Sequence, residues 1–368
     1  MKKKIILLYP YYSELCGALN RYLLLEKLLK KNNFEVNLII LKDQSFNSKY
    51  AKFFYKLFKF IKIELIIIFY SVFNNYYFIT DYNPSITALF LKKVLIQIHD
   101  VSWENKKFAR HKSFFYRIFR FFIKNYSNIL TVSKTSMIAI NKVSQRKKRT
   151  FVLYNSVSEK YLYHSKNINK DNEANGICLS SYKINLEIPN ILYIATLIPR
   201  KCHLDLLEAL ANTNKIFNVN LVGLPIDKKI LEFIKTKKTA KGKVVKSNIN
   251  YFPQLSQSEV CNLLIHSSVY ISTSMYEGFG IPVLEAQLYN VPLIIRDIDI
   301  NRELYPNAKF FNSNMELINL LNDIKRLSNN EINQRKEIAS KINQDNLAEP
   351  FNYLGLSNKL KKIILDLT

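Results

Sequence analysis

The sequence predicts an α/β protein made of two Rossmann-like, doubly wound domains that face a cleft. Three observations support this prediction: a length of 368 residues, short apolar runs that alternate with helical patterns, and one long polar interruption near the middle of the chain. At about 150 residues per domain, the length is enough for two hydrophobic cores. Strands that are apolar on both faces and separated by helices are typical of parallel sheets covered on both sides.

Six apolar runs on each side of the interruption are predicted to be strands. The first six are residues 4–9, 35–41, 76–80, 94–98, 128–132 and 150–154. The second six are residues 190–195, 218–222, 246–252, 268–273, 292–296 and 308–311. Helical patterns lie between them, among others at 17–31, 105–125, 134–144, 203–213, 256–266 and 281–290. This alternation predicts two parallel sheets.

The interruption, residues 164–188, is polar and lacks helical or strand periodicity, which is typical of an interdomain linker. We therefore predict a first domain over residues 1–170 and a second domain over residues 186–344. A last amphipathic pattern at 353–367 has no strand after it. The segment 345–368 is accordingly expected to pack back on the first domain.

The chain is strongly basic, since 54 Lys and Arg stand against 29 Asp and Glu and give a net charge of +25. Such an excess favours polyanionic partners: nucleic acid, an anionic membrane surface or phosphorylated substrates. No RNA- or DNA-binding motif is present, so we expect no nucleic acid partner. The four cysteines lie far apart without metal-ligand spacing, which indicates a reducing, cytoplasmic location.

The strongest chemical signal, SMYEGFGIPVLEA at 274–286, directly follows a predicted strand. Two of only seven glycines, Gly278 and Gly280, fall within three residues, and Pro282 suits the first turn of a helix. A strand, a glycine turn and a helix N-terminus form a geometry that binds phosphate. Glu277 and Glu285 flank the turn and are expected to bind sugar or ribose hydroxyls. On local grounds alone, a capped turn with two solvated glutamates explains the run equally well.

A second signal, ATLIPRK at 195–201, lies at the end of the second domain's first predicted strand. Two adjacent cations, Arg200 and Lys201, can neutralise a diphosphate leaving group there, and Arg can do so bidentately. A basic loop in a lysine-rich protein is the alternative.

These motifs resemble the family 4 glycosyltransferases, which are retaining enzymes with the GT-B fold. The run 277–285 matches the family's E-x7-E signature, and residues 254–260 look like the loop and helix start before its strand. Residues 290–294 and Glu303 are similar to what usually follows. The run 195–201 resembles the variant G-T-L-x-P-R-K, with Ala in place of the first Gly.

The resemblance implies roles for these residues in binding a nucleotide-diphosphate sugar. Glu285 would hold the nucleotide ribose, Glu277 a sugar hydroxyl, and Arg200 and Lys201 the diphosphate. Gly223 matches a family turn near the nucleotide. The loop amides near the diphosphate or sugar would be those of Gly278, Phe279, Gly280 and Ile281.

The first half resembles the family more loosely. Gly17 remains where family members usually carry a Gly-Gly pair, with Cys16 replacing its partner, and Arg21 lies in the following helix. His99 and Asp100, after the strand 94–98, look like the family's H-D pair that lines the cleft near the transferred sugar. We therefore expect Gly17, Arg21 and Asp100 on the acceptor side and His99 among the catalytic residues.

Two stretches of the first domain, residues 105–126 and 52–62, interleave basic and aromatic side chains. Such stretches can lie on an anionic membrane, although a core-packed helix with a basic outer face explains 105–126 equally well. The apolar run 63–73 has about half of the ~20 residues that a membrane-spanning helix needs. We predict a peripheral protein on the inner face of the cell membrane, with a lipid-linked saccharide as acceptor.

The resemblance implies a retaining, metal-independent hexosyltransferase of bacterial surface polysaccharide synthesis, with mannose as the favoured sugar. No cofactor is expected. Asp297 and Asp299 form a DxD pair that binds a divalent cation in another glycosyltransferase fold, but here they follow the signature helix. The alternatives are a non-catalytic GT-B subunit that binds a partner or membrane, and a nucleotide-sugar epimerase.

Overall fold

The structure, a computed structural model, describes residues 3–10, 17–41, 48–81, 84–101, 114–145, 149–157, 161–163, 186–342, 347 and 350–367. The chain divides into two compact units. The first consists of Met1–Ser156 and Leu347–Thr368, and the second of Val157–Asn346. In the described part of the chain, no helix is long and apolar enough to cross a membrane.

The first unit is built on a six-stranded parallel sheet. Its strands are β1 (Lys4–Tyr9), β2 (Glu35–Ile40), β3 (Tyr77–Asp81), β4 (Val94–Ile98), β5 (Asn128–Thr131) and β6 (Arg149–Val152). They lie in the order β2-β1-β3-β4-β5-β6, and every pair is parallel. The central strands β1, β3 and β4 are buried apart from Lys4, as their mostly apolar sequences predict.

Helices cover both faces of this sheet. They are α1 (Gly17–Lys31), α2 (Lys49–Ile68), α3 (Thr87–Phe90), α4 (Phe114–Asn125) and α5 (Lys134–Ser144). A π-helical turn, Phe69–Phe73, extends α2. The predicted helix 105–125 is described from 114 onward. The C-terminal helix, Tyr353–Asp366, packs on α1, where Asn32 Nδ2 donates to Ser357 Oγ at 2.8 Å.

The second unit repeats the design with six more parallel strands. These are β7 (Asn190–Ile194), β8 (Asn218–Val222), β9 (Asn248–Phe252), β10 (Val269–Ser272), β11 (Leu293–Arg296) and β12 (Lys309–Phe311), in the order β12-β11-β10-β7-β8-β9. The helices are α6 (His203–Asn212), α7 (Lys228–Thr236), α8 (Gln257–Ile265), α9 (Ile281–Leu288), α10 (Asp299–Leu304), α11 (Asn314–Asn322) and α12 (Asn329–Lys341). The predicted α/β class and both parallel sheets are confirmed.

The boundary between the units differs from the predicted one. The second unit begins at Val157 and not at 186, because Val157, Tyr161 and Leu162 are buried in it. The Tyr161 ring packs against Tyr289 of the second unit, with 6.0 Å between ring centroids. Most of the predicted linker, 164–185, lies outside the described residues.

The strand order fixes where a ligand can bind in each unit. In the first sheet the order reverses between β1 and β3, and in the second between β7 and β10. Open α/β sheets bind ligands outside the carboxyl ends of the strands at such a reversal. The loops after these four strands are therefore where functional side chains are expected.

Candidate functional site

Two loops of the second unit meet at its strand-order reversal, and both carry predicted site residues. The loop after β7 contains a 3-10 turn, Pro199–Lys201, and the loop after β10 leads through Gly280 into α9. Main-chain and side-chain hydrogen bonds join the loops. Met275 N donates to Arg200 O at 2.9 Å, and Thr273 Oγ1 donates to Lys201 O at 3.0 Å. The buried Tyr193 hydroxyl donates to the same Lys201 carbonyl at 2.6 Å.

This connection brings the predicted cations and a glutamate together. Lys201 Nζ forms an ion pair with Glu277 Oε1, and Arg200 Nη1 lies 3.9 Å from Glu277 Oε2. Arg200 Nη1 also donates to Tyr276 O at 2.9 Å. All three charged side chains are partly buried. In this structure, then, Glu277 is the counter-ion that holds both cations at the edge of the site.

A second ion pair, which was not predicted from the sequence, supports the loop after β10. Arg296, the last residue of β11, donates through Nε to Thr273 O at 2.9 Å and forms an ion pair with Asp205 of α6. Its guanidinium also lies over the Phe311 ring, 5.1 Å from the centroid. The sequence signal that could have identified Arg296 is its position at the end of a buried strand, at the same sheet edge as the two motifs.

The start of α9 has the geometry of an anion site. Gly280 caps the helix with φ 82° and ψ 55°, a left-handed conformation that favours glycine. Its carbonyl accepts a hydrogen bond from the Tyr305 hydroxyl at 3.0 Å. Within the described residues, the amides of Gly278, Gly280 and Ile281 donate to no protein group. Free amides at a helix N-terminus favour a negatively charged group.

Glu285 differs from Glu277 in its surroundings. It lies in the second turn of α9, is half-buried, and among the described residues none donates to its carboxylate. Burial raises the pKa of Glu285 to about 8, because removal of water disfavours the charged form. Its side chain is therefore largely a neutral acid at pH 7, able both to donate to and to accept from hydroxyl groups.

Gly223, at the carboxyl end of β8, has a steric reason for being glycine. A Cβ atom at this position would lie 2.1 Å from Ala195 O and 2.9 Å from Thr196 N. The absence of a side chain lets β8 approach the start of the loop that carries Arg200 and Lys201. The structure thus explains Gly223 through main-chain packing, while its predicted place near the nucleotide stays a prediction.

In the first unit, Arg21 bonds to the protein itself, and its predicted acceptor-side role stays a prediction. It is only 3% exposed, and its Nη1 and Nη2 donate to the carbonyls of Tyr154 and Leu153 at 2.6 and 2.7 Å. Nε donates to Gln97 Oε1 at 3.2 Å. The guanidinium therefore bonds to the protein's own groups, because the α1 position directs it inward to the end of β6.

The other first-unit candidates lie at the carboxyl edge of the sheet. His99 and Asp100 directly follow β4, and both are partly exposed. His99 Nε2 lies 3.2 Å from Asp81 Oδ1 at the end of β3, and 3.1 Å from Gln97 Nε2. Asp81 was not predicted as a site residue, although a carboxylate that ends a buried strand is a usable signal. Gly17 begins α1, and Cys16 lies outside the described residues.

Asp297, the first carboxylate of the DxD pair, is bound by other groups of the protein. Asp297 accepts from Arg302 Nε at 2.5 Å and Nη2 at 2.6 Å, and from Asn312 Nδ2 at 3.0 Å. These contacts lower the pKa of Asp297, with the Arg302 hydrogen bonds as the main cause. Asp299 begins α10. Throughout the described ranges, no three His, Cys, Asp or Glu side chains form a group that could hold a metal ion.

Two doubly wound units with these sheets define the GT-B fold, and solved structures share it. Anabaena HepE in complex with UDP and glucose is 16% identical, with 98% of this chain and 99% of that chain covered and a TM-score of 0.64. A Rickettsia africae glycosyltransferase is 17% identical, with 100% and 99% covered and a TM-score of 0.69. WaaG, a glycosyltransferase involved in lipopolysaccharide biosynthesis, is 12% identical, with 99% of both chains covered and a TM-score of 0.67. At these identities the likeness establishes the fold alone.

The sequence of the second unit matches a known family. Residues 180–345 match the family described as glycosyl transferases group 1. This range covers both motif loops, and the match confirms the resemblance predicted from the motifs. No curated protein matches the chain in sequence.

Proposed function

We propose that the chain is a glycosyltransferase that uses a nucleotide-diphosphate sugar as donor. The observation that carries this proposal is the cluster of Arg200, Lys201 and Glu277, beside the free amides at the start of α9. Cations and a helix N-terminus at a strand-order reversal suit a diphosphate. The glycosyl transferase family match and the UDP and glucose bound by Anabaena HepE support the same donor class.

The proposed donor site divides the ligand between the two loops. Arg200 and Lys201 bind the diphosphate together with the amides of Gly278, Phe279, Gly280 and Ile281. Glu285, uncharged before binding, takes the ribose hydroxyls, and Glu277 takes a hydroxyl of the sugar. Transfer of the cations from Glu277 to the diphosphate would leave that carboxylate available for the sugar.

We propose a retaining front-face reaction without a metal ion. The bond between the sugar C1 and the diphosphate oxygen breaks, and the acceptor oxygen bonds to C1 on the same face. The acceptor's proton passes to the leaving diphosphate, whose growing charge Arg200 and Lys201 stabilise. His99 binds an oxygen of the sugar or the acceptor. A hexose is the proposed sugar, and GDP-mannose is to be tested beside UDP-glucose.

Helix α2 supports the proposed membrane contact, because it is apolar on two opposite faces. Ile63 and Ile67 are fully buried against the sheet. The opposite face exposes a row of large apolar side chains, which we call the α2 stripe: Tyr50, Phe53, Phe54, Leu57, Phe58, Ile61, Leu65, Phe69, Val72 and Phe73. Large exposed apolar patches mark protein or membrane interaction sites. Lys56 and Lys62 flank the stripe and are exposed.

We propose that an anionic membrane covers the α2 stripe and that the acceptor is a lipid-linked saccharide reached there. Exposed aromatic side chains beside lysines suit the boundary between lipid headgroups and acyl chains. Helix α4 adds exposed Phe121 and Arg117. Assembly of a bacterial surface polysaccharide is the proposed setting, in line with the lipopolysaccharide role stated for WaaG.

The donor proposal is tested with the purified full chain and a panel of nucleotide sugars. We expect one sugar nucleotide to be hydrolysed or transferred with release of the nucleoside diphosphate, and EDTA to leave the rate unchanged. The anomeric configuration of the product, read by NMR, tests retention. Loss of activity in EDTA with rescue by Mn²⁺ would contradict metal independence. Absence of turnover and of thermal stabilisation with every nucleotide sugar would contradict the donor class.

The membrane proposal is tested by flotation with phosphatidylglycerol vesicles and with phosphatidylcholine vesicles. The chain is expected to float with the anionic vesicles, and the triple variant Phe53→Ser, Phe54→Ser, Phe58→Ser to stay in solution. The matched control changes three exposed apolar residues of the second unit: Ile226→Ser, Val244→Ser and Met315→Ser. Equal flotation of both triple variants would contradict a role for the α2 stripe.

A further inference from the structure

The first unit contains a chain of hydrogen bonds that leads from a buried arginine to His99. Arg21 Nε donates to Gln97 Oε1 at 3.2 Å, and Gln97 Nε2 lies 3.1 Å from His99 Nε2. Arg21 and Gln97 are both buried, with Gln97 fully so. Ser136 Oγ donates to the His99 carbonyl at 3.3 Å and holds the main chain beside the ring.

The chemistry of these groups orders the donors along the chain. A guanidinium can only donate, so the Gln97 atom that faces Arg21 must be the amide oxygen. The amide nitrogen, which can only donate, therefore faces His99. A donor at 3.1 Å requires a lone pair on His99 Nε2, and in the neutral imidazole the proton then lies on Nδ1.

A carboxylate competes for the same ring nitrogen. Asp81 Oδ1 lies 3.2 Å from His99 Nε2 but forms no aligned hydrogen bond, and this oxygen is fully buried. Asp81 would accept a proton carried on Nε2, whereas Gln97 needs Nε2 without one. Arg21 and Asp81 also interact electrostatically in this part of the unit.

We infer that Arg21 and Gln97 are positioning residues that fix His99 as the Nδ1–H tautomer. About one third of the His99 side chain is exposed, and in the described part of the chain Nδ1 has no partner. The ring therefore offers a hydrogen-bond donor, and not an acceptor, to a ligand oxygen at the carboxyl end of β4. This inference rests on the proposed function only in taking that oxygen to belong to the sugar or the acceptor.

The tautomer is measured directly by ¹⁵N NMR of the full chain labelled at histidine, with His99 assigned from the spectrum of His99→Gln. The shifts of Nδ1 and Nε2 report which nitrogen carries the proton, with no need for activity. We expect a protonated Nδ1 in the neutral ring of the wild type. A protonated Nε2 would overturn the inference and assign control of the ring to Asp81.

Two variants sharpen the measurement. Gln97→Glu replaces the donor beside Nε2 with an acceptor that Arg21 can still bind, so the proton is expected to move to Nε2. Asp81→Asn is the matched control and is expected to leave the proton on Nδ1. A change of tautomer in Asp81→Asn, or none in a folded Gln97→Glu, would overturn the inference. Should Gln97→Glu fail to fold, the wild-type spectrum still decides.

Kinetics give a second readout once a donor is known. Gln97→Glu is expected to lower kcat on the order of tenfold, since one preorganised donor is lost. KM for the nucleotide sugar is expected to change by less than about twofold, because the proposed diphosphate contacts lie in the other unit. A tenfold rise of KM with no change in kcat would contradict a role of Gln97 in the reacting complex. Failure of the proposed function would leave the NMR result unaffected.

Discussion

The two sheets end in similar edges but use their arginines in opposite ways. At the carboxyl edge of the second sheet, Arg200 is partly exposed and shares Glu277 with Lys201. At the carboxyl edge of the first sheet, Arg21 is buried and bonds to two main-chain carbonyls and Gln97. A cation that pairs with another side chain can change partner when an anion arrives. A cation that satisfies buried carbonyls cannot, because they would lose their donor.

Burial explains the different consequences of the two arrangements. The pKa of Arg21 falls to about 9, because burial removes the water that stabilises its charge, and the hydrogen-bonded carbonyls replace that water in part. The comparison therefore assigns Arg200 and Lys201 to ligand binding and Arg21 to the stability and geometry of the first unit. Four predictions test this division.

The largest expected effect is on turnover in the second unit. Arg200→Ala or Lys201→Ala is expected to lower kcat on the order of 10²-fold or more, as loss of a preorganised charge contact does. The melting temperature should stay close to that of the wild type, because both side chains are partly exposed. Lys241→Ala, which removes an exposed lysine of the same unit, is the matched control. Near-normal rates in both variants would contradict the diphosphate assignment.

The second prediction is that the buried arginine of the first unit contributes to stability. Arg21→Ala leaves the Leu153 and Tyr154 carbonyls and Gln97 without their donor, and is expected to lower the free energy of unfolding by about 3 kcal/mol. Urea unfolding measures this loss. The exposed Arg326→Ala should change stability by less than about 0.5 kcal/mol. An Arg21→Ala chain as stable as the wild type but inactive would restore Arg21 to the acceptor site.

The third prediction concerns the carboxyl group of Glu285 in the second unit. The raised pKa of Glu285 means that the folded chain binds a proton that the unfolded chain releases near pH 4.5, so this group makes stability fall as pH rises from about 5 to 8. Relative to Glu285→Gln, the wild type is expected to lose about 4 kcal/mol of unfolding free energy between pH 5 and pH 9. The exposed Glu232→Gln on α7 is the control. A pH-independent difference would contradict the raised pKa.

The fold was largely predictable because its signals are local. Each strand from β1 to β12 coincides with a predicted apolar run within two residues, since strands buried on both faces are mostly apolar. Helix α2 was predicted only as two separate stretches, the basic and aromatic 52–62 and the apolar 63–73, because their compositions differ. The two motif loops were predictable from short patterns of glycines, a proline and cations.

The partners of the site residues were less predictable. Sequence spacing places Arg21 on a helix near the sheet edge but does not give the direction of its side chain. The Arg296–Asp205 contact joins residues 91 positions apart, and the Asp81–His99 contact joins two strands. Such pairs depend on strand order, which the apolar runs alone do not determine. Gln97 and His99 are two positions apart in sequence, but Arg21 decides which atom of the Gln97 amide faces His99.

The smallest expected effect comes from Arg296, which combines the two uses of arginine. Like Arg21 it bonds to a main-chain carbonyl, that of Thr273, and like Arg200 it pairs with a partly exposed carboxylate, Asp205. Thr273 in turn donates to the Lys201 carbonyl.

Arg296→Ala should therefore loosen the turn that carries the cations, and raise KM for the nucleotide sugar about threefold to tenfold with a smaller change in kcat. Arg296→Lys, which keeps a charge but loses the planar donor set, should recover less than half of the loss. Full recovery with lysine would show that only the charge matters, and an unchanged KM in both variants would remove Arg296 from the support of the donor site.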